Sequence, residues 1–100
     1  MPLMRGQILR YDADRMAFEF TMRNDEGRTV QCQISSAAMD ELAGKRGTQP
    51  AEREAQFLSL RKTIERIASD NFDHNTIGAV VRIFAKHIRS APHSNSDPAR

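Results

Sequence analysis

The sequence predicts an α+β fold: a β-hairpin covered on one face by a short and a long helix. Three observations predict it. Residues 15–35, RMAFEFTMRNDEGRTVQCQIS, alternate in polarity, with Met16, Phe18, Phe20 and Met22 on one side of a turn and Val30, Cys32 and Ile34 on the other. Period-2 alternation is what a half-buried strand requires, because successive side chains point to opposite faces. Directly afterwards a serine pair opens a short segment that Gly44 closes, which is the punctuation of a brief helix. Finally, Phe57, Leu60, Ile64, Ile67 and Ala68 fall within about 100° of one another at helical spacing, a stripe that faces a core.

Taken in order, the chain opens with a weak strand at Gln7 to Tyr11, where Ile8, Leu9 and Tyr11 do not alternate cleanly. Asp12-Ala13-Asp14 is a turn, since Asp side chains bond local backbone N–H groups. The second strand spans about Met16 to Arg23, and Asn24-Asp25-Glu26-Gly27 is a hairpin loop with Gly27 suited to a positive φ. The third strand runs from about Arg28 to Ile34. Ser35 or Ser36 caps the short helix, whose Met39 and Leu42 point inward while Asp40 and Glu41 face water. Thr48 is the expected N-cap of the long helix, with Pro50 in its first turn, where a missing N–H costs nothing. That helix extends to about Ser69, with Leu58 off the core stripe and Glu52, Glu54, Lys62, Glu65 and Arg66 mostly outward. Asn71 to Thr76 is a loop. Ile77 to Ile88 fits a helical stripe and a β-branched strand about equally well. Residues 1–89 make one α+β domain, and the polar tail SAPHSNSDPAR, residues 90–100, is expected to be disordered.

The succession of Tyr11-Asp12, the FEF strand, GRTVQCQIS running into AAMDELAG, then Ala55-Gln56-Phe57, IERIA and VVRIFAKHI resembles a family of small bacterial proteins catalogued as domain of unknown function 1488. The resemblance covers about Leu3 to Ile88 and rests on spaced core residues. It implies an antiparallel sheet packed by two helices, and a last element that begins as a strand at about Ala79 to Phe84. The expected order is therefore β-β-β-α-α-β. Lys86-His87 departs from the family pattern, where an acidic residue is expected. The resemblance transfers no activity and no catalytic residues.

Composition excludes several classes. One hundred residues with a net charge of +2 lack the large clustered surplus of a dedicated nucleic-acid binder. The local asymmetry lies between Val80 and Arg100, where Arg82, Lys86, Arg89 and Arg100 oppose only Asp97. A single cysteine rules out an intramolecular disulfide framework and fits a reducing compartment. The opening MPLMRGQILR has no apolar h-region, and no apolar run approaches membrane-spanning length. A cytoplasmic location without membrane contact is expected.

Motifs for catalysis are absent: there is no GxSxG, Walker or GxGxxG sequence. Cys32, between Val30 and Ile34, reads as a buried structural thiol. His74, His87 and His93 are scattered, and Asp70, Asp73 and His74 are explained by turn formation and capping, so no metal or cofactor is expected. The carboxylate pairs Asp12/Asp14 and Asp25/Glu26 lie in turns. The expected function is a non-enzymatic binding or accessory module, its partner a protein or a second copy of the chain. The partner face is Leu58, Lys62 and, if it points outward from an edge strand, Ile83. The alternative is weak nucleic-acid binding through Arg61, Arg66, Arg82, Lys86 and Arg89, with Arg53 nearby, although glutamates interleave with the helical set. Glu19, Thr21, Arg23, Gln31 and Gln33 are expected to line the polar face of the sheet.

Overall fold

The computed structural model describes residues 3–72 and 80–89, apart from the side chains of His87 and Arg89. Strands β1 (Leu3–Asp12), β2 (Ala17–Asn24) and β3 (Thr29–Ser35) are followed by helix α1 (Ser36–Ala43). A 3₁₀ turn at Pro50–Glu52 leads into α2 (Arg53–Asn71), and β4 (Val81–Ile83) and α3 (Ala85–Arg89) complete the described chain. The four strands form one sheet in the order β1-β2-β3-β4. The tail at 90–100 and the candidates Asp73, His74 and His93 lie outside the described residues.

The hairpin register places Phe18 opposite Ile34, Phe20 opposite Cys32 and Met22 opposite Val30. All six are buried, so the alternating face is the core face. Phe57 of α2 is fully buried against it, its ring stacked on Phe18 at 4.6 Å between centroids and tilted on Phe20 at 5.0 Å. Ile64, Ile67 and Ala68 continue the helical stripe into the same core, with Leu60 partly buried beside them. From α1, Ala38 and Met39 close one end.

The local signals act as their chemistry requires. Asp12 Oδ1 accepts from the Asp14 and Arg15 backbone N–H groups, and Asn24 Oδ1 from those of Glu26 and Arg28. Gly27 has φ +80°. Ser35 Oγ accepts from Ala38 N at 3.1 Å, and Gly44 ends α1 at φ +70°.

Four expectations are corrected. First, β1 begins four residues before the expected Gln7, at Leu3, and ends one residue after Tyr11, at Asp12. Register shifts between Arg5 and Ile8, and between Ile8 and Arg10, break its alternation, as bulges do, and so hide the strand. Second, Met16 is a turn residue at φ +53° and 60% exposed. Its carbonyl accepts from both the backbone N–H and the hydroxyl of Ser36, which fixes the turn against the start of α1. Third, Thr48 does not cap the long helix: it is buried and bonded elsewhere, while Gln49 caps the 3₁₀ turn, its N–H donating to Glu52 Oε1, and Glu52 stands at the N-cap of α2. Fourth, the sheet is mixed, because β4 pairs parallel to β3, with Cys32 opposite Val81 and Ile34 opposite Ile83. A parallel neighbour requires a crossover. Here α2, about 28 Å long at 1.5 Å per residue, carries the chain back along the sheet. The last element begins as a strand, as expected: Val81–Ile83 pass into the short helix α3, which lies against α1.

Candidate functional site

Three polar arrangements occur on this scaffold. The first is internal. The Asp40 carboxylate, expected to face water, instead points into the contact between α1 and α2. Its Oδ1 accepts from Thr48 Oγ1 (2.8 Å), Arg53 Nη1 (2.8 Å) and Gln56 Nε2 (2.9 Å). Arg53, expected among the surface cations, is 5% exposed. Its Nη1 also donates to Gln56 Oε1, its guanidinium lies 5.7 Å from the centre of the Tyr11 ring, and its Nε finds no acceptor among the described residues. Burial alone raises the Asp40 pKa, but the donors from Arg53, Gln56 and Thr48, with the Arg53 charge, outweigh it and hold the carboxyl below its usual range. A carboxylate with one oxygen saturated by three donors is a structural tie. Adjacency to core-facing Phe57 is no sequence signal for this inward flank, because Gln56 is buried on one side of Phe57 while Leu58 is exposed on the other.

The second arrangement is the sheet face that no described element covers. The expected set Glu19, Thr21, Arg23, Gln31 and Gln33 lies there, opposite to the core residues in register. One cross-strand row runs Arg10, Glu19, Gln33, Arg82 across all four strands. Arg10 pairs with Glu19 at 3.7 Å, and Arg82 Nε donates to Gln33 Oε1 at 3.3 Å. Tyr11, Phe18 and Phe20 belong to the inward set, whereas Phe84, directly after β4, is 44% exposed.

The third is the flank of α2 beside the β1 edge. Leu58 is 48% exposed. With Lys62 and Arg5 it lines a shallow cleft of about 430 Å³. Glu65 anchors the flank to the sheet: Arg5 grips its carboxylate through Nε (2.8 Å) and Nη2 (2.9 Å), and Arg61 Nε adds a third bond at 2.9 Å. Arg61 Nη2 also donates to the Gly6 carbonyl. A second cleft, of about 390 Å³, lies between the end of α1, Lys45, Arg46 and Ala85.

Of the expected partner face, Leu58 and Lys62 come together, and Ile83 does not join them. Ile83 is fully buried, because pairing with Ile34 turns it to the core face and leaves Arg82 to point outward. The expected basic patch is also not assembled. Arg61 is committed to Glu65 and Gly6, Arg66 lies exposed on the helix layer, and Arg82 belongs to the opposite face of the sheet. Lys86 is exposed on α3, and the side chain of Arg89 lies outside the described residues. Arg5 was not legible as a site residue, since its partner Glu65 lies sixty positions away.

Cys32 is 2% exposed, and burial pushes its thiol up to about 12. Among the described residues no three His, Cys, Asp or Glu side chains converge on a metal position, and no helix is long and apolar enough to cross a membrane.

Comparison with known proteins gives a family and a fold. A family model described as "Protein of unknown function (DUF1488)" matches residues 6–84. The chain is similar to a crystal structure of a protein of unknown function from the DUF1488 family of Shewanella loihica PV-4, with a TM-score of 0.61 and 20% identity over 83% of this chain and 90% of that one. No curated protein matches.

Proposed function

The chain belongs to the DUF1488 family of proteins of unknown function, and on that premise we propose that it is a non-enzymatic binding or accessory module of the cytoplasm, docking through the α2 flank at Leu58 and Lys62. The observation that carries this reading is the half-exposed Leu58 set in a cleft beside Arg5 and Lys62. An apolar centre with a polar rim is the usual anatomy of a protein interface, where Arg is enriched and charge is depleted at the middle. The groups best suited to chemistry support it by being otherwise engaged. Asp40 Oδ1 accepts from three donors, Glu65 is held by two arginines, and the Cys32 thiol is buried and far from ionising at neutral pH.

The test is affinity capture from a native lysate in high salt after nuclease treatment, using the wild-type chain and Leu58→Asp. A protein retained by wild type and lost with Leu58→Asp supports docking through this flank. Retention indifferent to the substitution overturns it, and so does capture only at low salt that nuclease abolishes.

A further inference from the structure

The α2 flank is complementary to itself. At 100° per residue Glu54, Ala55, Leu58 and Lys62 fall within about 100° of one another, and all four are exposed. Glu54 and Lys62 each stand four positions from Leu58, in opposite directions. Neither forms an ion pair among the described residues. Nor does the helix supply them with one: the residue four beyond Glu54 is Leu58 itself, and the residue four beyond Lys62 is Arg66. Glu65, three beyond Lys62, is already held by Arg5 and Arg61. The helix surface thus carries an acid one turn before the exposed leucine and a base one turn after it.

We propose that the occupant of this flank is a second copy of the chain, with the two α2 helices packed antiparallel about a two-fold axis at Leu58. The proposal rests on the docking reading above and names its partner. About that axis the Leu58 side chains meet each other, each Glu54 faces the Lys62 of the other copy, and Ala55 keeps the approach close. The same patch serves on both copies, as a closed two-fold contact demands. One helix against one helix buries less than a standard interface, so the dimer is of micromolar or weaker affinity.

The experiment is sedimentation velocity on the purified full chain, from about 10 μM to about 1 mM, a range chosen for a small interface. Wild type is expected to pass from monomer to dimer. Leu58→Asp is expected to remain monomeric, and Glu54→Lys and Lys62→Glu are each expected to weaken the dimer several-fold by facing like charges. The double reversal Glu54→Lys/Lys62→Glu is expected to restore it, which no effect on folding alone would do. Circular dichroism confirms that each variant is folded. A wild-type chain that stays monomeric throughout overturns the second-copy proposal while leaving the lysate test of the docking flank to stand by itself. A dimer indifferent to the single reversals, or a double reversal that fails to restore it, overturns the proposal as well.

Discussion

Two polar regions on α2, only a few residues apart, behave in opposite ways. At Arg53 and Gln56 the charge is buried, its partners come from α1 and the loop after it, and the carboxylate oxygen they share accepts from three donors. At Glu54, Leu58 and Lys62 the side chains are exposed and the two charges have no ion pair among the described residues. The first region holds the helices together, because removing any member strands a buried polar group. The second contributes little to the fold, because exposed charges in water interact weakly. What the contrast teaches is that charge on a helix cannot be sorted by residue type. A turn of about 100° decides whether an arginine is a tie or a surface cation.

The comparison can be broken most forcefully at Asp40. Asp40→Ala leaves the Arg53 charge buried without its carboxylate and should cost about 3 kcal/mol or more, measured by urea unfolding. A loss under about 0.5 kcal/mol, the range of surface substitutions, would mean that the cluster is ornamental.

The same cluster predicts a pH dependence. The folded Asp40 pKa lies below its unfolded value of about 3.9. Its contribution is therefore fully present above that unfolded value and is lost as pH falls through the lower folded one. Asp40→Asn should lose less stability than wild type between pH 7 and pH 3. Equal losses in the two proteins would show that other carboxylates govern the acid limb.

A next largest effect is expected where the docking flank meets the sheet. A Cβ on Gly6 would sit 2.4 Å from the Thr21 carbonyl oxygen, and the Gly6 carbonyl receives Arg61. Gly6→Ala should cost about 1–3 kcal/mol through forced displacement of β1, read as a lowered unfolding midpoint. An unchanged midpoint would show that the bulged strand yields freely.

The smallest effect is expected at the flank itself. Leu58→Asp should stay within about 0.5 kcal/mol of wild type in stability, and the same unfolding experiment checks it. A large loss would return Leu58 to the core and remove the contrast from which the docking proposal starts.

Much of the architecture was legible because it is written in local, periodic chemistry. The hairpin's alternation, Asn24 and Gly27 in its turn, Ser35 and Gly44 at the ends of α1 and the stripe from Phe57 to Ala68 each act within a few residues of themselves. The edge strand β1 was only half legible, because its bulges interrupt the period that announces a strand. Leu58 and Lys62 were legible as outward-facing because helical spacing places them off the core stripe, whereas Ile83 needed the sheet register.

The sequence by itself determined the α+β class, the hairpin and its core face, the limits of α1, the core stripe of the long helix and the burial of Cys32. Tertiary structure alone decided that β4 runs parallel to β3, that Ile83 turns inward while Arg82 turns outward, and that Asp40, Thr48, Arg53 and Gln56 meet in one cluster. The physical reason is range. Periodicity and capping are settled by neighbours along the chain, but a strand's direction and a charge's partner depend on which distant segment arrives beside it. Arg5 and Glu65 carry no mark of each other until the fold brings them within 2.8 Å.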